Sequence, residues 1–281
     1  MIELSDMRIF IVISLLIFLS SSIFAQEVEP RASKEEKKEA RRAKQLARLQ
    51  ETDSYFNIEL FGTNRSIQDE ATSSQVYDGF GGGIGFGSLR TRGSRMLEYR
   101  MIGGYNLLES QAGRTAHDFW GDISFAYLEQ LPDARFYAGV QANFLSQVRL
   151  NPALGNSRLH WELVGSLGAV GRYQEKLRVP FINRSVQAYG QLHLPILAYV
   201  SRPIYGVTVD GIMDQYVTSW HRLQRVDTEF GLFFPVMRRK DNPNLFRIAY
   251  QWDILRFRDN ERQRVLSAQH LLSIGLFIKM I

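Results

Sequence analysis

Ser267-Ala-Gln-His-Leu-Leu-Ser-Ile-Gly-Leu-Phe-Ile-Lys-Met-Ile281 alternates with a period of two. Ala268, His270, Leu272, Ile274, Leu276, Ile278 and Met280 fall on one face, and Ser267, Gln269, Leu271, Ser273, Gly275, Phe277 and Lys279 on the other. Successive side chains of a β-strand point to opposite sides, so this is a strand with one large apolar face and one small or polar face. Leu271 and Phe277 are the exceptions on the second face. A greasy outside and a wet inside suit a strand with lipid on one side and a polar interior on the other.

Similar stretches recur upstream from Asp53. Phe56, Ile58 and Leu60 alternate with Asn57 and Glu59; Phe80, Ile84 and Phe86 alternate with glycines. Tyr99, Met101 and Tyr105 oppose Glu98, Arg100 and Asn106, while Phe119, Ile123, Phe125 and Tyr127 oppose Asp118, Asp122 and Ser124. Phe136, Val140 and Phe144 oppose Gln141 and Asn143; Leu159, Trp161, Leu163 and Leu167 oppose His160, Glu162 and Ser166. Val186, Ala188, Leu192, Leu194 and Ile196 oppose Gln187, Tyr189, Gln191 and His193. Val226, Thr228, Phe230, Leu232 and Phe234 oppose Arg225, Asp227 and Glu229, and Phe246, Ile248, Tyr250, Trp252 and Ile254 oppose Arg247, Gln251 and Asp253. With the terminal stretch these make about ten segments of the length a tilted membrane strand needs. In hydrocarbon a sheet satisfies its backbone only by leaving no edge, so the segments must close on themselves.

The terminal strand resembles the one by which bacterial outer-membrane barrels are recognised for insertion, except that those typically end in an aromatic residue and this one ends in Ile281. The resemblance spans Asp53 to Ile281 and is to the bacterial outer-membrane β-barrel class, with no narrower family. The expected fold is all-β: one antiparallel up-and-down transmembrane barrel of about ten strands, within a range of roughly eight to twelve. The resemblance implies residence in the outer membrane of a Gram-negative bacterium, contact with outer-membrane lipid, and periplasmic N- and C-termini.

Two segments precede the barrel. Residues 1–25 read as a signal peptide: Ile9 to Ala25 is apolar, and small residues lead to a cleavage point after Ala25. Glu3 and Asp6 do not suit a positive n-region, so Met7 is the expected initiator; the alternative is an N-terminal membrane anchor. Residues 26–52 form a basic arm. Ser33 to Glu36 is a capping box, and Lys37 to Gln50 contains neither Gly nor Pro. Arg31 to Glu51 holds eight basic and four acidic residues, net +4, with only a thin apolar stripe. Such a segment is either a solvated helical arm or a tether to acidic envelope material or an envelope protein.

Composition excludes several classes. The chain has no cysteine, hence neither disulfides nor lipid attachment through one. A formal charge of +5 over 281 residues does not call for nucleic acid. The glycines from Gly79 to Gly87 match a phosphate loop only loosely and precede no helix; they suit close approach of neighbours or strong wall curvature. No cofactor or metal is expected, since His117 and Asp118 alone do not make a metal site.

Among links, Thr63 to Gln75 reads as a long polar loop, Gln130 to Ala134 as a short turn with Pro132 and Asp133, and Arg238 to Asn244 as a basic turn. The longest link, Ser201 to Ser219, falls on the external side, and Tyr205 to Gln215 leaves room for one further hairpin.

Candidate functional residues fall into three groups. An inward charge network should contain Glu59, Glu98, Arg100, Asp122, Glu162, Arg225, Asp227, Glu229, Arg247 and Asp253, paired with one another because unpaired buried charge is costly. His160, Glu162, Ser166, His193 and Tyr189 supply the pieces of a lipid hydrolase or acyltransferase, although a His–Glu structural pair is the simpler reading. Tyr205, Asp210, Asp214, Tyr216 and Trp220 offer an external recognition loop or a folded-in lid. The expected function is a non-enzymatic barrel, either a narrow channel or an envelope anchor; a membrane-embedded lipid-modifying enzyme and a soluble periplasmic barrel are the alternatives.

Overall fold

Each alternating segment is a strand, and the strands form one continuous antiparallel wall. The computed structural model describes residues 52–280 except 71–72, 133–134, 155–157, 180–183, 204–212, 237–243 and 259–263. The signal peptide, nearly all of the basic arm, Tyr205, Asp210 and most of the Arg238–Asn244 turn therefore lie outside the described residues.

The strands are β1 (Thr52–Asp69), β2 (Ser73–Arg92), β3 (Arg95–Ser110), β4 (Thr115–Gln130), β5 (Phe136–Leu150), β6 (Leu159–Val179), β7 (Arg184–Pro203), β8 (Met213–Ser219), β9 (Leu223–Val236), β10 (Asn244–Arg258) and β11 (Arg264–Lys279). Neighbours in sequence pair in up-and-down order, and β1 pairs with β11 from Tyr55↔Lys279 to Asp69↔Val265, closing the wall. β8 and β9 run along the same neighbour: β8 pairs with Leu197–Pro203 of β7, and β9 with Gln187–His193. They are two halves of one stave, joined by the turn at Trp220–Arg222, so eleven strands make a closed ten-stave barrel. Among the described residues there is no extra hairpin after Pro203; Met213–Ser219 extends an existing stave instead.

Three details depart from the sequence reading. Thr63 to Gln75 is mostly strand: β1 runs to Asp69 and β2 starts at Ser73. Apart from Val76, the outward residues there, Asn64, Ser66, Gln68, Ser74 and Asp78, are polar, so the wall continues beyond its apolar band as a mostly polar collar. Second, the β6–β7 register shifts between Leu167 and Gly168, which pair with Leu197 and Pro195 and leave Ile196 as a bulge. Proline gives the ladder no N–H donor, and the extra residue reverses the faces. Beyond it Ala198, Val200 and Arg202 point inward. Third, Val186 is buried instead of exposed.

The glycine column explains the tight wall at β2. A Cβ on Gly79 or Gly81 would collide with the carbonyl of Leu107 or Tyr105 on β3. One on Gly83 or Gly85 would strike the Phe61 ring or the Glu59 side chain, which lean across from β1. Of the two roles read from the sequence, these contacts show close approach of neighbours.

The outward face carries a continuous apolar band. Leu60 (55% exposed), Phe80 (74%), Val140 (55%), Phe230 (60%) and Leu272 (59%) stand free of the wall. Tyr99, Tyr127 and Phe136 lie toward the end holding Thr52, and Trp161, Tyr250 and Trp252 toward the other, as interfacial girdles do. A soluble barrel would present this whole belt to water.

Candidate functional site

The site to be built is the lumen. Its filling starts at both ends with apolar layers. Toward the Thr52 end, Tyr55, Leu89, Met96, Leu128, Tyr189, Phe233 and Phe277 pack together. At the other end Ile67, Tyr77, Leu108, Val164, Val200, Leu223, Phe257 and Val265 do the same. A smaller group, Phe61, Ile102, Trp120 and Leu271, lies between. These are inward residues that simple alternation would make polar.

Between the layers, arginines hold carboxylates. Arg100 gives Nε and Nη2 to Glu59 at 2.6 and 3.1 Å, and Nη1 to Glu229 and Gln251 at 2.8 Å each. Arg247 closes the box by donating to Glu59 and, at 3.2 Å, to Glu229, which also accepts from the Tyr189 hydroxyl. Two arginines and two glutamates thus neutralise one another from four different staves.

Arg225 centres a second group, reaching Asp253 at 2.8 Å, Asp122 at 3.1 Å and the Asn143 carbonyl oxygen at 2.5 Å. Gln251, which accepts from Arg100, donates in turn to Asp227 at 2.9 Å. Arg172 donates to Glu98 at 3.0 Å while lying over the Tyr189 ring, 4.1 Å from its centroid.

Two further clusters involve residues that alternation in the quoted segments did not reach. Arg65 donates to Asp118 at 3.1 Å and to Gln147 at 2.9 Å. Asp69 accepts from Arg202 at 2.9 Å and faces Arg149 at 3.6 Å. Arg65 and Asp69 sit in the stretch read as a loop, Arg202 in the stretch read as an external link, and Arg149 and Arg172 beyond the last apolar markers of their strands. Following the period-two pattern a few residues further would have found Arg65, Asp69, Arg149 and Arg172; Arg202 needed the bulge at Ile196.

The catalytic pieces are not assembled. His160 Nε2 lies 3.2 Å from Asp69, so its partner is an aspartate of β1 and not Glu162 of its own strand. Ser166 is six residues further along β6, about 20 Å at the rise of a strand. His193 pairs in register with Val170, four residues from Ser166, roughly 13 Å along the strand. The buried Ser166 Oγ has no protein hydrogen-bond partner among the described residues. A serine nucleophile needs a base within hydrogen-bond reach, and here neither histidine provides one. Tyr189 is engaged by Glu229.

The outer candidates are separated as well. Tyr216 lies on β8 and stacks on Phe257 at 5.7 Å, so it belongs to the interior packing and not to an exposed recognition loop. Asp214 is in the same strand, in register with Arg202, and Trp220 is exposed in the turn between β8 and β9. His117 bonds the outward Tyr105 hydroxyl at 2.8 Å, whereas Asp118 is buried on the inner face. They cannot share a metal.

Similar solved structures include Neisserial surface protein A, 12% identical, with 80% of this chain and 97% of that one covered and a TM-score of 0.37. The translocator domain of autotransporter NalP from Neisseria meningitidis is 8% identical, with 87% and 95% covered and a TM-score of 0.39. The transport unit of autotransporter AIDA-I from Escherichia coli is 11% identical, with 82% and 90% covered and a TM-score of 0.40. No family model and no curated protein matches the chain. The chain is a closed, antiparallel up-and-down β-barrel with an apolar belt on its outer face.

What the lumen can do follows from its filling. The interior cavity beside Arg100, Asp122, Asn143, His193 and Asp227 has a volume of about 30 Å³, room for a water or two. A wider cup of about 640 Å³ opens at the Thr52 end, lined by Asp53, Tyr55, Arg135, Arg172 and Lys176.

Proposed function

We propose that the chain is a closed-lumen barrel of the Gram-negative outer membrane, serving as a structural or anchoring component with periplasmic termini. The observation that carries this reading is the arginine–carboxylate packing across the lumen between two apolar layers. An open channel needs a continuous wet path, and charged groups bound to each other from opposite walls occupy it. With the N-terminus periplasmic, the basic segment 26–52 is the part of the chain available to an acidic envelope partner.

Reconstitution in a planar bilayer tests the closed lumen. The expected record has no regular conductance steps, and steady ohmic steps proportional to the protein added would overturn the reading. Orientation is tested separately by adding protease to intact cells. Cleavage within residues 26–52 would show that the termini face outward.

A further inference from the structure

The cup at the Thr52 end, about 640 Å³, falls within the usual range of ligand pockets, about 300–1,000 Å³, and its lining is divided in chemistry. The apolar part is Tyr55, Leu89, Tyr137 and Phe233, all packed in the layer that closes this end of the lumen. The polar part comes mainly from β6, where Arg172, Gln174 and Lys176 follow one another on the inward face.

Arg172 is the deep member of this row, 3% exposed. Its Nη1 donates to Glu98 at 3.0 Å and to Gln191 at 3.4 Å, and the guanidinium plane lies over the Tyr189 ring. Both bonds leave from Nη1. The other edge, Nε with Nη2, is one that can grip a carboxylate through two parallel bonds, and its buried Nε has no acceptor among the described residues. A buried donor without an acceptor is costly, so this edge calls for one. Arg65, Arg149 and Arg247 also carry a buried Nε without a partner, but none of them lines the cup.

The carboxylates of the lining are engaged elsewhere. Asp53 is held by Lys279 at 2.5 Å and Glu175 by Arg135 at 3.0 Å. Two carboxylates on one guanidinium is a pattern this lumen already uses. Arg100 and Arg247 each hold Glu59 and Glu229, and Arg225 holds Asp122 and Asp253. Arg172 holds Glu98 alone. Exposed Lys176, four residues nearer the mouth, adds positive charge along the way in. Water can accept from Nε, but only a ligand with an apolar body also covers the apolar part of the cup.

We propose that the cup binds a small amphipathic carboxylate, with its carboxylate on the Nε–Nη2 edge of Arg172 and its apolar body against Tyr55, Tyr137 and Phe233. This goes beyond the anchoring role and stands whichever way the termini face. The full chain, held in phospholipid nanodiscs, is dialysed to equilibrium against 3-phenylpropionate, with empty nanodiscs correcting for partition into lipid. 3-Phenylpropanamide keeps the apolar body without the charge, and acetate keeps the charge without the body. Each sample is also run with and without boiling, because a folded barrel changes its gel migration on heating.

The wild type should bind one 3-phenylpropionate per barrel saturably, with the amide and acetate each at least tenfold weaker. R172Q should lose at least tenfold in affinity while keeping its heat-dependent migration, and R258Q, at the opposite end, should bind as the wild type does. Absence of saturable binding, or equal binding of the amide, would overturn the proposal. So would undiminished binding by folded R172Q, an equal loss in R258Q, or acetate binding as tightly as 3-phenylpropionate, which would leave a plain anion site. Should R172Q fail to fold, the three ligands on the wild type still decide. A wild type without heat-dependent migration would overturn the barrel itself, and the cup with it.

Discussion

Glu59 accepts from both Arg100 and Arg247 and, together with Glu229, neutralises these two guanidinium groups at the centre of the lumen. Replacing it by Gln removes the charge but not the volume. Glu229 would then face both arginines alone, and a buried charge without its partner typically costs about 3–5 kcal/mol. The expected outcome for Glu59→Gln is a lower urea midpoint in detergent or lipid, read as loss of the heat-sensitive folded band. Ser166→Ala is the contrasting case, because the serine oxygen has no protein partner to lose. Its stability should stay within about 1 kcal/mol of the wild type. A large loss there would mean that the hydroxyl does something the lumen geometry does not reveal.

At the scale of the strand, the glycines of β2 and β3 should not be equivalent. Gly81 faces inward, where a methyl group would meet the Tyr105 carbonyl and the Asn106 side chain. Gly103 faces outward, and a methyl there comes no closer than 3.7 Å to the Trp120 carbonyl. Gly81→Ala should cost roughly 1–3 kcal/mol as overpacking and reduce the folded yield, while Gly103→Ala should leave it unchanged. Comparing the two yields in one refolding series checks both.

The same contrast shows what was legible beforehand. Alternation is a local property, so the faces of Phe56–Leu60 or Ile274–Ile278 could be read from the chain alone. Where a strand stops is set by its neighbours. Arg65 and Asp69 looked like loop residues because their outward companions, Asn64, Ser66 and Gln68, are polar; the strand continues because β2 and β11 run beside it. Tyr216 looked exposed for the same reason, and the ring it stacks on, Phe257, is 41 residues away in sequence. The reversal of faces at Ile196 could only be suspected from Pro195, because a bulge is defined by its partner strand.

For the molecule as a whole, the belt and the collar make opposite demands on the same kind of residue. Ile274 pairs across the wall with Leu60 and Ile248, all three outward, midway between Lys279 and the His270–Trp252 girdle. Ser66 is outward on β1 as well, but two residues past Asn64, which pairs with His270. If lipid covers the first position and water the second, Ile274→Arg should destabilise the inserted barrel by about 2–4 kcal/mol, as charge does at the midplane. Ser66→Arg should cost roughly 0–1 kcal/mol. Urea titration of the barrel in lipid vesicles measures both. In lipid the two substitutions should differ by at least a kilocalorie; equal costs would mean that Ile274 does not sit deeper in the bilayer than Ser66, and the belt would need another partner than lipid.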